Sequence, residues 1–459
     1  MFSVYSLFKN PRCAMKAPLV ASVIACVFCA GTAVAKDLYV STSGSDSVAY
    51  ASNSISSPWL TIEHGLYNLK AGDHLYVRGG TYTPRYQVWL NSDYSRQSKG
   101  GDPNEVNRAE SGTAASPVII ENYQSEKPIV NLATVTANSG VYVNLDNKSY
   151  WTFRGLTFTN AAMVFKVGED YQSYNNTFED LNITASAGGD NYAPIHLVNY
   201  RADYTTIRNN VIKGPGQNVH LNTAAIYAKG TNHLQILNNV LSDAPIGIYF
   251  KHRNEATSAS QVDVNVAYNY IYNTSRWSLE YNGSFTKIHD NIFGANTAPA
   301  HFGDANGAAG ADYNIIDHNT FLSGALAFDS ATDSTDPFPG VNGNKVTNNI
   351  FHKSLEVLRY TSLANTNTFG KNVYPGSTSI LSYSSLLKTS LDSIFGIASY
   401  VGGTSPTSIS GFVLASGSVG KGAAADGTDM GANISKMQSG EVATVAPPTS
   451  PSNITVTVE

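Results

Sequence analysis

Apolar and polar positions alternate in short stretches along most of the chain, and one arrangement keeps returning. An apolar residue is followed by two polar positions, an asparagine and two β-formers. The unit occupies Ile207–Ile212 with Asn210, Ile236–Leu241 with Asn239, and Val266–Ile271 with Asn269. It returns at Ile288–Phe293 with Asn291, Ile316–Phe321 with Asn319, and Val346–Phe351 with Asn349. Upstream, Phe153–Phe158 and Phe178–Ile183 fit the same frame with Leu156 and Leu181 in the asparagine's place. The Asn-to-Asn steps are 29, 30, 22, 28 and 30 residues. Steps of that size suit the coils of a solenoid built from short strands and turns, with insertions absorbing the irregularity. One asparagine per coil at one turn predicts a hydrogen-bonded ladder along the axis.

Each coil carries a second strand after the asparagine: Ala193–Asn199, Ala225–Lys229, Gly247–Lys251, Trp277–Asn282, Ala300–Asp304 and Ala325–Asp329. Alternation turns Ile195, Ile226, Ile248 and Leu279 inward and their neighbours outward. Coils about 4.8 Å apart then line up one outward column of His196, Tyr227, Tyr249, Glu280 and His301. A second column holds Val198, Lys229, Lys251, Asn282 and Asp304, with His252, Arg253 and Arg276 close by.

The N-terminal part reads as a strand at Lys36–Val40, an amphipathic helix at Pro58–Leu69 and a strand at Asp73–Val77, together capping the open end. Past Asn372 the repeat fades into a Ser/Gly-rich stretch. The expected organisation is a leader over residues 1–35, an all-β right-handed parallel β-helix over 36–432 with a short capping helix, and a tail or linker over 433–459.

Composition sharpens this picture. Charged residues make up 14% of the chain and the formal net charge is −5, so there is no general pull on nucleic acid or anionic polymers. Any acidic ligand needs a local positive patch. Met15 and Lys16, the apolar run Ala17–Ala30 and the small-residue site Ala33–Ala35 read as an export signal cleaved after Ala35. The alternative is a lipoprotein box at Val23–Cys26, with Cys26 lipidated; the apolar run is too short for a membrane span. Cys13, Cys26 and Cys29 all fall in the leader, leaving the mature chain without a disulfide or thiolate chemistry. A secreted or periplasmic monomer is the expectation.

Leu38–Asp46, Pro58–Ile62, Gly72–Tyr82 and the closing Asp429–Ala432 resemble the opening and ending of secreted right-handed β-helix proteins of the pectate lyase-like superfamily. The resemblance runs over about residues 37–432 and implies a polysaccharide lyase, glycoside hydrolase or epimerase. In alginate and chondroitin lyase β-helices a Lys base lies on one coil and an Arg on the next, and Lys251 and Arg276 are similar in placement. The acidic calcium ligands that the resemblance leads one to expect before the lysine are replaced by Ala244, Pro245 and Ile246. No cofactor is therefore demanded, and calcium is the one candidate. The missing Asp cluster places alginate ahead of pectate.

The residues themselves are compatible with β-elimination on a uronic-acid polymer. Stacked Lys229 and Lys251 repel one another unless an anion sits on them, and close cations lower each other's pKa toward use as a base. Either lysine could take the C5 proton. Arg253 or Arg276 could clamp the carboxylate and Tyr249 or Tyr227 protonate the leaving oxygen. His196, Tyr227, Glu280, His252, Asn282 and His301 are candidates for substrate contact. Two rival classes remain: a glycoside hydrolase using Glu280 and Asp304, and a noncatalytic solenoid that holds an acidic polysaccharide. No H-E-x-x-H, P-loop or G-x-S-x-G motif occurs.

Overall fold

A computed structural model of the protein describes residues 35–91, 101–135, 140–198, 201–251, 261–303, 311–323, 326–329, 341–353, 356–359, 367–376, 388–389 and 392–439. The strands form a right-handed parallel β-helix. Thirteen pair in parallel in one sheet, from Asp37–Val40 through the strand before each asparagine turn to Lys388–Thr389. Twenty more build the remaining faces, and Val240–Lys251 and Tyr270–Tyr281, 12 residues each, bend across a corner and serve two of them. The core lies inside the coils. Phe293, Phe321, Phe351 and Tyr374 stack there with centroids 4.6, 4.8 and 5.3 Å apart and planes within 11° of parallel.

The asparagine ladder forms as the repeat predicts. The Oδ1 of Asn239, Asn269, Asn291, Asn319 and Asn349 each accepts from the backbone N–H and the Nδ2 of the ladder residue before it. Asn372 adds a rung the repeat had not included. These asparagines are fully buried, so each bond forms away from competing water. The preceding residue takes the left-handed conformation that turns the chain: Asn209, Asn238, Tyr268, Asp290, His318 and Asn348 have φ between 51° and 59°. Gly155 fills that position in an earlier coil with φ 65°. A second ladder, unseen in the sequence, links Thr286, Asn314, Asn344 and Asn367 at another corner.

At the N-terminal end, Asp37–Val40 and His74–Val77 are the first two rungs of the thirteen-stranded sheet. The helix Ile62–Asn68, capped by Thr61 Oγ1, sends Ile62, Leu66 and Tyr67 into the core. At the other end the chain turns back over the outside of the coils. Phe412 packs on Tyr270, the Gly431 N–H donates to the Asn348 carbonyl, and the Asn433 N–H donates to Asp290. A short helix, Ile434–Ser439, continues past Ala432 and buries Ile434 and Met437 in the same outer cluster. Residues 1–34, the leader up to Ala35, and residues 440–459 lie outside the described residues.

Close approach of the coils leaves no room for a side chain at Gly247. A Cβ there would lie 2.4 Å from the Ser278 carbonyl oxygen and 2.6 Å from Ile271 Cγ2. Gly247→Ala should therefore cost about 1–3 kcal/mol by overpacking, read as a lower midpoint in urea unfolding. A variant as stable as the parent would show that the coils can separate here.

Candidate functional site

The column of outward residues is assembled by parallel register. Pairing joins Lys166 to His196, His196 to Tyr227, Tyr227 to Tyr249, Tyr249 to Glu280 and Glu280 to His301. Lys229 is the direct neighbour of Lys251. Ile195, Ile226, Ile248 and Leu279 point into the core beneath them, fully buried. This alternation is what aims the neighbouring side chains outward.

Outward does not mean open, and here the structure departs from the expected solvent-facing stripe. His196, Tyr227, Tyr249, Glu280 and His301 are all under 8% exposed. They form a packed layer of their own: the His196 ring meets Tyr227 edge-on at 4.2 Å, Tyr227 meets Tyr249 at 5.3 Å, and Trp277 stacks flat on His301 at 4.3 Å. Asn282 is likewise buried, its Nδ2 donating to the Phe250 carbonyl at 3.0 Å, which ties adjoining coils. Lys229, Lys251, Arg276 and Trp277 remain partly exposed. The physical reason is an outer apolar cluster, in which Tyr227 and Tyr249 pack with Ala193, Val198, Ala224 and Ile246 against the partly buried Trp277.

Burial, with help from the charges of Lys166 and Lys251, drives the His196 pKa down to about 3. The native imidazole stays neutral while an unfolded one protonates near pH 6.5. Its contribution to stability is therefore complete above about pH 6.5 and is lost progressively as pH falls toward 3. Between pH 7 and pH 5 the protein should lose about 2 kcal/mol through this group alone. His196→Leu should remove that part of the slope in urea titrations at the two pH values. An unchanged slope would mean that the imidazole protonates in place.

The cations differ in how they are partnered. Elsewhere several basic groups pair with carboxylates, Arg78 with Glu126, Arg154 with Glu121 and Glu179, Arg208 with Glu179, and Lys421 with Asp429, while Arg108 meets the Asn68 amide and Lys36 and Arg201 meet backbone carbonyls. Lys166, at the upper end of the column, is held by Glu169 at 2.6 Å, and Asn144 also donates to Glu169. Lys251 and Arg276 instead meet amides. Lys251 Nζ donates to Asn191 Oδ1 at 3.0 Å, and Arg276 Nη1 donates to Asn222 Oδ1. Neither pairs with a carboxylate among the described residues. Arg276 owes its position to a bulge, since the ladder to the previous strand shifts between Ala244 and Ile246, opposite Pro245.

Sequence reasoning missed Lys166, Glu169, Asn191, Asn222 and Trp277. Lys166 could have been found: Met163–Val167 alternates in the frame that pairs Phe165 with Ile195. Asn191 and Asn222 sit on loops whose course no period encodes. His252, Arg253 and Asp304 lie outside the described residues. Ala244–Ile246 bring no side-chain oxygen to the site, and no three His, Asp, Glu or Cys groups converge on a metal position among the described residues. No helix among those residues is long and apolar enough to cross a membrane.

Residues 38–210 match the family described as "Pel9A-like, right handed beta helix region". Pectate lyase PEL9 of Emericella nidulans is 27% identical over 139 residues, a stretch that covers 28% of this chain and 28% of that protein. Among solved structures, pectate lyase Pel9A aligns at 16% identity and TM-score 0.47, covering 72% of this chain and 80% of its own. A rhamnogalacturonan lyase aligns at 16% identity and TM-score 0.45, covering 72% and 91%. The expected resemblance to pectate lyase-like β-helices is thus borne out. The family match ends before Lys229, so the chemistry must be argued from the residues of the site.

Proposed function

We propose that the protein is an exported polysaccharide lyase that cleaves a uronic-acid polymer by β-elimination along the Lys229–Lys251–Arg276 edge of the β-helix. One observation carries this reading: two partly exposed basic groups on adjoining coils, Lys251 and Arg276, meet neutral amides, whereas Lys166 at the end of the same column meets a carboxylate. A cation kept aimed and uncancelled is suited to an anionic ligand.

Arg276 grips the uronate carboxylate, drawing charge from C5 as its proton leaves. Lys251, as the free amine, takes that proton. The C5 electron pair forms the C4–C5 double bond, the C4–O4 bond breaks, and Tyr249 delivers a proton to the departing oxygen. Lys229 adds positive charge beside the base. The products are a new reducing end and an unsaturated uronate, with atoms and charge in balance. For Tyr249, only 6% exposed, to reach O4, the substrate must enter between the loops and the lysine edge.

The sequence layout puts alginate first, and the relation to a pectate lyase over part of the chain brings polygalacturonate alongside. The test is ultraviolet absorbance of the conjugated product on alginate, polygalacturonate, rhamnogalacturonan and glycosaminoglycan panels, with and without chelator. Unsaturated product on any polymer supports the lyase. New reducing ends without absorbance would overturn it in favour of hydrolysis, for which Glu280 is placed in the column but buried. Silence in both assays would leave a binding solenoid.

A further inference from the structure

The loops over the site follow the strands Asn182–Ala185 and Val211–Lys213 and meet each other outside the coils. Asn222 Nδ2 donates to Asp190 Oδ1 at 2.7 Å, Thr223 Oγ1 to the Gly189 carbonyl at 3.0 Å, and the Ala224 N–H to the Tyr192 carbonyl at 2.9 Å. His220 Nδ1 lies 3.6 Å from Asp190. The joined loops present two amide oxygens, Asn191 Oδ1 to Lys251 and Asn222 Oδ1 to Arg276, across 60 and 54 residues of sequence. Both placements are specified. Asn191 sits at φ 59°, a left-handed position that suits Asn, and the Asn222 amide is oriented by a carboxylate acceptor on one side and a guanidinium donor on the other.

We propose that Asn191 and Asn222 are positioning residues: neutral acceptors on two interlocked loops that hold the base Lys251 in line for the C5 proton and the clamp Arg276 in line for the substrate carboxylate, without placing a negative charge beside either. The inference rests on the lyase reading and deepens it. A carboxylate in either place would pair with the cation and compete with the polymer, as Glu169 does with Lys166. No side chain in either place would release a long flexible base or clamp, and a misplacement of about 1 Å can cost on the order of a hundredfold in rate.

The two roles separate in kinetics. Asn191→Ala should lower kcat by about 10- to 100-fold with KM little changed, because it frees the base. Asn222→Ala should raise KM by about 10-fold, because it frees the clamp. The deciding variant is Asn191→Asp, which keeps size, backbone preference and an oxygen in place and changes only charge. It should lose at least about 10-fold in kcat/KM while melting within about 2 °C of the parent. A merely structural Asn191 would tolerate that exchange. If Asn191→Asp matches the parent in kcat and KM while Lys251→Ala is inactive, the positioning role is overturned and the lyase stands. If the parent chain forms no unsaturated product on any uronate polymer, the lyase reading fails and the positioning role falls with it.

Discussion

Lys251→Ala should lower kcat for uronate elimination by about a hundred- to ten-thousand-fold, the usual contribution of a positioned base. The side chain is partly exposed and, among the described residues, its hydrogen bond goes to Asn191, so little stability rides on it. Unfolding midpoints should stay within about 0.5 kcal/mol of the parent. Lys229→Ala, one coil earlier, should act chiefly on KM, since it supplies charge beside the base. Steady-state rates on whichever polymer gives unsaturated product decide the matter. Retained activity in Lys251→Ala with loss in Lys229→Ala would exchange the two roles. Retained activity in both would remove the lysine pair from the chemistry.

The largest expected loss of stability is at the middle of the ladder. Asn269 accepts at Oδ1 from Asn239 N and Nδ2, both at 2.9 Å, and donates from Nδ2 to the Ile236 and Ala267 carbonyls and to Asn291. Asn269→Ala leaves the buried Asn239 N–H and one Asn239 Nδ2 hydrogen without their acceptor. Each such group costs about 1–3 kcal/mol, so the loss should total about 2–6 kcal/mol. Urea unfolding measures it, with exposed Asn182→Thr as the control expected within about 0.5 kcal/mol. Asn269→Leu should not recover the loss, although Leu156 and Leu181 occupy that frame in earlier coils. Leucine carries no oxygen, so the Asn239 N–H would lose its acceptor in this variant as well. A cost near that of the control would mean the ladder is ornamental to a solenoid held by its apolar core.

The ladder was legible because it repeats. Asn210 through Asn349 recur with apolar neighbours in step, and a solenoid converts a constant position within a repeat into a neighbour along the axis. The Lys229–Lys251 pair and the His196–His301 column were legible for the same reason, since strand alternation carries a residue's face from coil to coil. Asn372 was missed although Phe369–Tyr374 keeps the frame 23 residues after Asn349, with Gly370 in one of the polar positions. The second ladder is shorter, with three asparagines after Thr286, and was missed.

What the sequence by itself determined was the coil, its register and the faces its side chains take, because these follow from local alternation repeated without long-range choice. What only the tertiary structure decided was exposure and partnership. Whether Tyr249 meets water depends on the cluster packed around it, and the paths of the loops are set by single contacts such as Asn222 to Asp190; no periodicity records those. The same holds for Arg276, placed by a bulge, and for Lys251, which meets an amide 60 residues earlier in the chain. Charge can be read from composition, but whether a charge is cancelled depends on what folds against it.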